Sequence, residues 1–225
     1  MVFSSLLFLW IFLPLVLAAY YISPGKIRNG ILVFFSLLFY AWGEPLYVFL
    51  MLFSVSVNFT GGILIEKYQT RKKKILVATL IINLGVLGYF KYFNFLLDMI
   101  ASVTRMFGYQ FGNTAMQSVT YQPMDIFLPV GISFFTFQTI SYVIDVYRGK
   151  ITPLTRWIDY VFYVSFFPQI VAGPIVRARD FIPQIYKEPT VTRSEFGEGL
   201  FLVLCGLFKK TVISDYISLN FVDRI

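Results

Sequence analysis

The sequence contains no histidine and a single cysteine, Cys205. Without an imidazole, the chain has no histidine ligand for a metal, no Ser-His-Asp triad and no histidine general base. One cysteine cannot form a disulfide within the chain, and the sequence has no glycine loop for phosphates and no paired-carboxylate site. These absences predict that the chain holds neither a metal site nor a catalytic residue of its own.

Charged residues are also scarce, at 14% of the 225 residues, against about 25% in an average soluble domain. Apolar types make up 57% and the mean hydropathy is +0.71, so the chain lacks the polar surface of a soluble domain. Aromatic residues make up 20%, which excludes an intrinsically disordered chain. The composition therefore predicts an integral membrane protein with no soluble domain.

The net charge of +7 arises from 19 basic and 12 acidic residues. On a soluble protein this surplus would suggest nucleic acid. Here it lies in short segments between apolar runs, where basic residues mark the cytoplasmic side of a membrane. We therefore expect a lipid bilayer as partner and no nucleic acid. The densest basic run, Arg71–Lys74, leaves open a polybasic scaffold that binds anionic lipids.

The apolar runs predict five helical spans, because about 20 apolar residues cross a bilayer. Pro45 lacks an N–H and its ring clashes with the preceding turn, so Gly43-Glu44-Pro45 separates the second span from the third. Basic residues follow the first, third and fifth spans, which predicts an external amino terminus. The predicted spans cover residues 3–22, 29–42, 46–65, 75–100 and 126–144, with a polar external loop at 101–125.

The segment near 157–176 departs from this alternation. It is apolar enough to enter the membrane, but a full crossing would place four basic residues of the following loop outside. Pro168 and Gly173-Pro174 interrupt it, and irregular backbone at membrane depth needs protein or a water-filled cavity around it. We expect a re-entrant or strongly tilted element. A further apolar run, 199–208, ends at Lys209-Lys210 and either begins another span or lies at the interface.

Polar residues recur along the fifth predicted span. Ser133, Gln138, Ser141 and Asp145 are separated by 5, 3 and 4 residues, so on a helix they share one broad face. Two interpretations stay open: hydrogen bonds between packed helices, or the lining of a polar cavity. Arg148 lies three residues after Asp145, and we expect the two to pair at the cytoplasmic end.

A second polar group lies in the interrupted segment. Gln169 stands beside Pro168 and just before Gly173-Pro174, which suggests a bent backbone next to a cavity. Arg177 and Arg179 follow it. Their guanidinium groups either meet a phosphorylated or acidic partner at the cytoplasmic face or belong to a solvated loop.

Four motifs carry a family resemblance. The segments Leu128–Gly149 and Phe166–Phe181, the start Met1-Val2-Phe3-Ser4-Ser5, and Gly88-Tyr89-Phe90-Lys91-Tyr92 resemble the membrane-bound O-acyltransferase (MBOAT) family. The nearest branch is that of the bacterial alginate O-acetyltransferase membrane subunits. The motifs occur in family order from Met1 to about Asp215. The resemblance implies an all-α, polytopic MBOAT-type helical bundle, of which residues 1–225 form the amino-terminal part of one membrane domain.

The resemblance also implies an activity. Such enzymes move an acyl group, here an acetyl group, from a cytoplasmic donor through a membrane tunnel to hydroxyls of an extracytoplasmic polysaccharide such as alginate. It implies no bound cofactor, leaves the donor open between acetyl-CoA and an acyl carrier, and implies a partner protein that acetylates the polysaccharide. The location would be the bacterial inner membrane. The family histidine follows an Asp-Phe-Ser-Gly-type segment that is missing here, so the isolated chain is expected to be inactive.

Two groups of residues are predicted to serve this activity, and one alternative remains. The alternative is a non-catalytic membrane protein, either a remnant, a transporter fragment or an assembly subunit. The predicted residues are Ser133, Gln138, Tyr142 and Gln169 for the tunnel wall, and Arg148, Arg177 and Arg179 for docking of the donor.

Overall fold

The structure is a computed structural model that describes residues 5–106, 128–170, 173, 176–187, 190–218 and 220. Every regular element in these ranges is helical, which confirms the predicted all-α class. A π-helical turn, Phe8–Phe12, leads into the first α-helix. The α-helices are α1 Leu13–Ile22, α2 Gly25–Gly43, α3 Tyr47–Lys67, α4 Lys72–Met106, α5 Ile132–Tyr147, α6 Trp157–Ser165, α7 Phe167–Ile170, α8 Ala178–Ile185, α9 Arg193–Phe208 and α10 Asp215–Ile217.

The predicted break at Gly43-Glu44-Pro45 is confirmed. Helix α2 ends at Gly43 and α3 begins two residues after Pro45, as expected where a proline removes a helical donor. The Glu44 N–H still donates to the Tyr40 carbonyl, and the Glu44 residue is buried. The turn between α2 and α3 therefore packs against the rest of the protein.

Two helical stretches among the described residues are long and apolar enough to cross a membrane, Tyr47–Lys67 and Gln69–Phe93. They correspond to the third and fourth predicted spans. The first two predicted spans appear as apolar but shorter helices, Phe8–Ile22 and Ile27–Gly43. The fifth appears as α5, of 16 residues. Most of the predicted external loop, and residues 1–4, 126 and 127, lie outside the described residues.

The core forms where α3 packs against α5 and α4, and where α2 packs against α6. Met51, Val55, Tyr142 and Val143 have no exposed surface at this centre. A second cluster joins the amino-terminal helix to α2 and α7 through aromatic rings. The centroids of Phe12, Phe39 and Phe167 lie 5.5 to 5.8 Å apart, within the range of favourable ring contacts. These contacts hold the short α7 in place.

An amide pair joins α3 to α4 inside this apolar packing. The Asn58 Nδ2 donates to Asn83 Oδ1 over 2.8 Å, and the Asn83 Nδ2 donates back to Asn58 Oδ1 over 3.1 Å. Ser54 Oγ also donates to Asn83 Oδ1 over 3.0 Å. All three residues are buried. Because a buried amide without partners is costly, this reciprocal pairing sets the register of the two helices.

The segment 157–176 is a broken helix. Helix α6 has nine residues and so rises about 14 Å, less than half of the roughly 30 Å of a bilayer core. The chain breaks at Phe166 and resumes in the four residues of α7, whose first N–H, of Phe167, donates to Ser36 Oγ over 3.2 Å. The expected interruption is present, and its path relative to the bilayer stays a prediction.

The helix at the carboxyl end is longer than the apolar run suggests. Helix α9 begins at Arg193, where Thr192 and Glu195 form a reciprocal capping box. It continues through Lys209 and Lys210 as a π-helical stretch and then α10. The two lysines therefore do not end the helix, and Lys210 pairs with Asp215 one turn further on, over 2.7 Å.

Two glycines with positive φ flank α5. Gly131 has φ +80, and a β-carbon there would lie 2.7 Å from the main-chain oxygen of Ile170 in α7. Gly149 has φ +69 and open space around it. It follows the helix in a Schellman motif, in which the Lys150 N–H donates to the Asp145 carbonyl. Only the first glycine is required both by its φ and by a neighbouring backbone.

We predict that Gly131→Ala destabilises the protein more than Gly149→Ala. The positive φ costs about 1–2 kcal/mol at either position, and the contact with Ile170 adds about 1–3 kcal/mol at the first. Thermal unfolding in mild detergent should therefore rank wild type above Gly149→Ala, and that variant above Gly131→Ala. Equal losses would contradict the close approach of α7 to the start of α5.

Candidate functional site

Three tyrosines meet where α5 packs against α6. The ring of Tyr142 lies 4.5 Å from that of Tyr160, which in turn lies 6.1 Å from Tyr163. All three are completely buried. The Tyr142 hydroxyl accepts the Leu154 N–H over 2.9 Å, and the Tyr163 hydroxyl donates to the Val176 carbonyl over 3.0 Å. The predicted tunnel residue Tyr142 thus lies in the protein core and fixes the chain before α6.

Gln138 links the same two helices. Its Nε2 donates to the Tyr163 carbonyl over 2.8 Å, and both residues are buried. Carbonyls in the last turn of a helix have no partner within the helix, so a side chain from another helix has to satisfy them. Two interpretations of the polar face were open, and the contact of Gln138 agrees with the first, hydrogen bonds between packed helices.

The other residues of that face are less buried. Ser133 lies half-buried in the first turn of α5, and Ser141 Oγ donates to the Gln138 carbonyl over 2.8 Å. The expected ion pair between Asp145 and Arg148 does not form in the described structure. Arg148 is the C-cap residue and its side chain is exposed, where an ion pair contributes little.

Three buried polar atoms lack a hydrogen-bond partner within the part of the chain that the structure describes. They are the Tyr160 hydroxyl, Ser165 Oγ and Gln169 Oε1, and all three belong to the broken helix α6–α7. An unsatisfied buried polar group costs about 1–3 kcal/mol, so such atoms call for water or a ligand. Gln169 is the fourth predicted tunnel residue, and its side-chain oxygen binds no described group. It therefore differs from Gln138, whose side-chain amide donates to the Tyr163 carbonyl.

The predicted docking residues are exposed. Arg148 ends α5, while Arg177 is the N-cap residue of α8 and Arg179 lies in its first turn. Arg179 Nε lies 3.4 Å from the Asp180 carboxylate, and both side chains are more than half exposed. A solvated pair of this kind is weak, so all three guanidinium groups remain able to meet an anion.

The sequence motifs missed a buried carboxylate. Asp159, in the first turn of α6, is 2% exposed and accepts a hydrogen bond from the Tyr186 hydroxyl over 2.8 Å. Partial burial and this hydrogen bond raise the pKa of Tyr186 to about 12, so the phenol keeps its proton at neutral pH. Asn29 Nδ2 donates to the neighbouring Ile185 carbonyl over 3.2 Å. The sequence did contain a signal for this site, because Asp159 is an acidic residue inside an otherwise apolar segment.

Comparison with known proteins identifies relatives over nearly the whole chain. A protein of Azotobacter vinelandii named probable alginate O-acetylase AlgI is 38% identical over 222 residues, which cover 97% of this chain and 42% of the relative. Its namesake in Pseudomonas aeruginosa is 37% identical over 221 residues, covering 97% and 41%. The peptidoglycan O-acetyltransferase of Helicobacter pylori is 30% identical over 248 residues, covering 96% and 45%.

No protein-family model and no solved structure matches the chain. The chain spans about two fifths of the length of the curated relatives that it matches. The order and extent of the match agree with the resemblance that the motifs carried. Over nearly its whole length, therefore, this chain is an MBOAT-like relative of the alginate O-acetylases.

Proposed function

We propose that the chain forms the amino-terminal portion of a membrane enzyme that transfers acetyl groups to hydroxyls of an extracytoplasmic polysaccharide. The observation that carries this proposal is the 36–38% identity, over 97% of the chain, to proteins named as alginate O-acetylases. The match to a peptidoglycan O-acetyltransferase supports a polysaccharide as the class of acceptor. Alginate is the proposed polymer because most of the relatives bear that name.

The proposed location is the bacterial inner membrane, crossed several times with the amino terminus outside. Two helices of sufficient length and apolarity support insertion. Large apolar side chains exposed on the π-helical turn, α2 and α4, such as Trp10, Phe34 and Ile81, support contact with lipid. The basic run Arg71–Lys74, exposed at all positions but Lys72, supports a cytoplasmic end between α3 and α4. Its proximity to the membrane surface also accounts for its charge without a separate scaffold role.

We propose that the broken helix α6–α7 forms part of the tunnel wall. This short, mostly buried element carries polar side-chain atoms that bind no described group. The Gln169 acceptor, with Tyr160 and Ser165, supports a polar path there. Ser133, Gln138 and Tyr142 would hold the adjoining wall of α5 in place, because Gln138 and Tyr142 already bind main-chain groups.

The proposed donor is acetyl-CoA or an acylated carrier, and both carry phosphate. Arg148, Arg177 and Arg179 are the proposed contacts, since guanidinium groups bind phosphate oxygens in pairs. The three lie exposed on segments that the charge pattern places in the cytoplasm. A separate protein that handles the polysaccharide outside the membrane completes the proposal.

The chemistry requires a base for the acceptor hydroxyl and donors for the developing oxyanion. No histidine is available, and the Asp159 carboxylate is buried and accepts a hydrogen bond from Tyr186. Glu44 lies buried in the turn between α2 and α3. We therefore propose that the base lies in a part of the enzyme outside these 225 residues.

We predict that the purified 225-residue chain transfers no acyl group. A radiolabelled acetyl donor and a polysaccharide acceptor would test this, with the full-length product of the gene as positive control. The gene should continue in frame past codon 225 and encode a histidine after an Asp-Phe-Ser-Gly-type segment. A stop at that point would favour the non-catalytic remnant, and transfer by the isolated chain would overturn the need for a base elsewhere.

We predict that two glutamine substitutions separate structure from activity. Gln138→Met leaves the Tyr163 carbonyl unpaired, so it should lower stability by about 1–2 kcal/mol. Gln169→Met removes a buried acceptor that binds no described group, so stability should stay unchanged or rise, while transfer by the full-length enzyme falls about tenfold. Thermal unfolding and initial rates give the two readouts. Full activity in Gln169→Met would remove this residue from the tunnel.

We predict that replacing Arg148, Arg177 and Arg179 together by glutamine raises the KM for the donor about tenfold with little change in kcat. Three exposed charge contacts, each of about 0.5 kcal/mol, account for that factor. Lys187→Gln is the matched control, since Lys187 is also exposed on the loop after α8. An equal rise in KM for the control would show that only the general charge of this surface matters.

A further inference from the structure

A cavity of about 520 Å³ opens between α1, α2 and the start of α6. One side is apolar and is lined by Ile31, Phe34 and Phe35 of α2. Asn29, Arg156 and Asp159 also line the cavity and supply its polar groups. Asn29 lies in the second turn of α2, while Arg156 and Asp159 lie at the start of α6. The cavity lining therefore combines charged and apolar side chains.

The two charged residues of the lining do not pair with each other. Arg156 and Asp159 both line the cavity, yet they form no ion pair in the described structure. Arg156 is exposed, whereas the Asp159 side chain is buried and accepts one hydrogen bond, from Tyr186. A carboxylate has about four acceptor positions, so it retains capacity for a further donor. A cation and an anion that do not pair with each other suit a zwitterionic ligand. Its negative group can meet Arg156 while its positive group meets Asp159.

We propose that this cavity binds a phospholipid with a primary amine in a zwitterionic headgroup, the phosphatidylethanolamine class. The phosphate would meet the Arg156 guanidinium, and the ammonium would donate to the Asp159 carboxylate. One acyl chain would follow the apolar side of the cavity past Phe34, which is 62% exposed. The proposal rests on the membrane location proposed above and is independent of acyl transfer.

The chemistry separates this lipid from its neighbours in a membrane. A choline headgroup has no N–H to donate to Asp159. A glycerol headgroup carries no positive charge, so it would leave the buried carboxylate without compensation. All three lipid classes carry the phosphate, and the phosphate engages only Arg156. The Asp159 contact is therefore the feature that selects the amine.

The experiment uses the 225-residue chain in mild detergent with an equimolar mixture of synthetic phosphatidylethanolamine, phosphatidylcholine and phosphatidylglycerol. Native mass spectrometry counts the lipid adducts that survive removal of the detergent. Wild type should retain phosphatidylethanolamine about tenfold over the other two. Asp159→Asn should abolish that preference, and Arg156→Gln should reduce all three adducts. Lys150→Gln, an exposed cation outside the cavity lining, is the charge control.

A substitution that fills the cavity keeps the test decisive if Asp159→Asn fails to fold. Gly30 lines the cavity and has open space where a β-carbon would stand, so Gly30→Leu should fold and displace the lipid about tenfold. Gly85→Leu is its matched control, because Gly85 also has open space but lies in α4. Equal retention of the three lipids by wild type, or unchanged preference in Gly30→Leu, would overturn the proposal and leave only ordinary boundary lipid.

Discussion

The broken helix α6–α7 depends on polar groups supplied by two other helices. Apolar surroundings offer no hydrogen bonds, so backbone groups released at a break must find partners within the protein. The break at Phe166 illustrates the constraint. Gln138 of α5 binds the Tyr163 carbonyl before it, and Ser36 of α2 accepts the Phe167 N–H after it. These two contacts let a short, bent element lie among longer helices.

The polar groups of the bundle divide into those that are satisfied and those that are not. Asn58 and Asn83 satisfy each other between α3 and α4, and Gln138 is satisfied by a carbonyl. The unsatisfied atoms are confined to α6–α7 within the described chain. Satisfied amides specify helix packing, whereas unsatisfied buried polar atoms call for water or a ligand. The proposed tunnel and the proposed lipid cavity both border α6, one at its buried face and one at its amino-terminal end.

Much of the architecture could be predicted from local patterns. Helix α3 and the turn at Gly43-Glu44-Pro45 lie within two residues of their predicted bounds, because proline chemistry and apolar length act locally. The continuation of the helix through Lys209 and Lys210 was not predicted, since two adjacent basic residues after an apolar run are typical of the end of a span. The Asp145–Arg148 pair was predicted from spacing alone and does not form in the described structure, where Arg148 is the C-cap residue and its side chain is exposed.

The sequence by itself determined the all-helical class, the apolar character of the chain and the family resemblance, because composition, hydrophobic length and ordered motifs are properties of the chain itself. Only the tertiary structure decided which polar side chains have hydrogen-bond partners within the protein. Gln138 and Gln169 look equivalent along the chain, but one binds a carbonyl of α6 and the other binds no described group. Only the folded structure shows that Asp159 accepts a hydrogen bond from Tyr186, which lies 27 residues away in the sequence. Burial and partners depend on which helices meet, and spacing along one helix does not specify that.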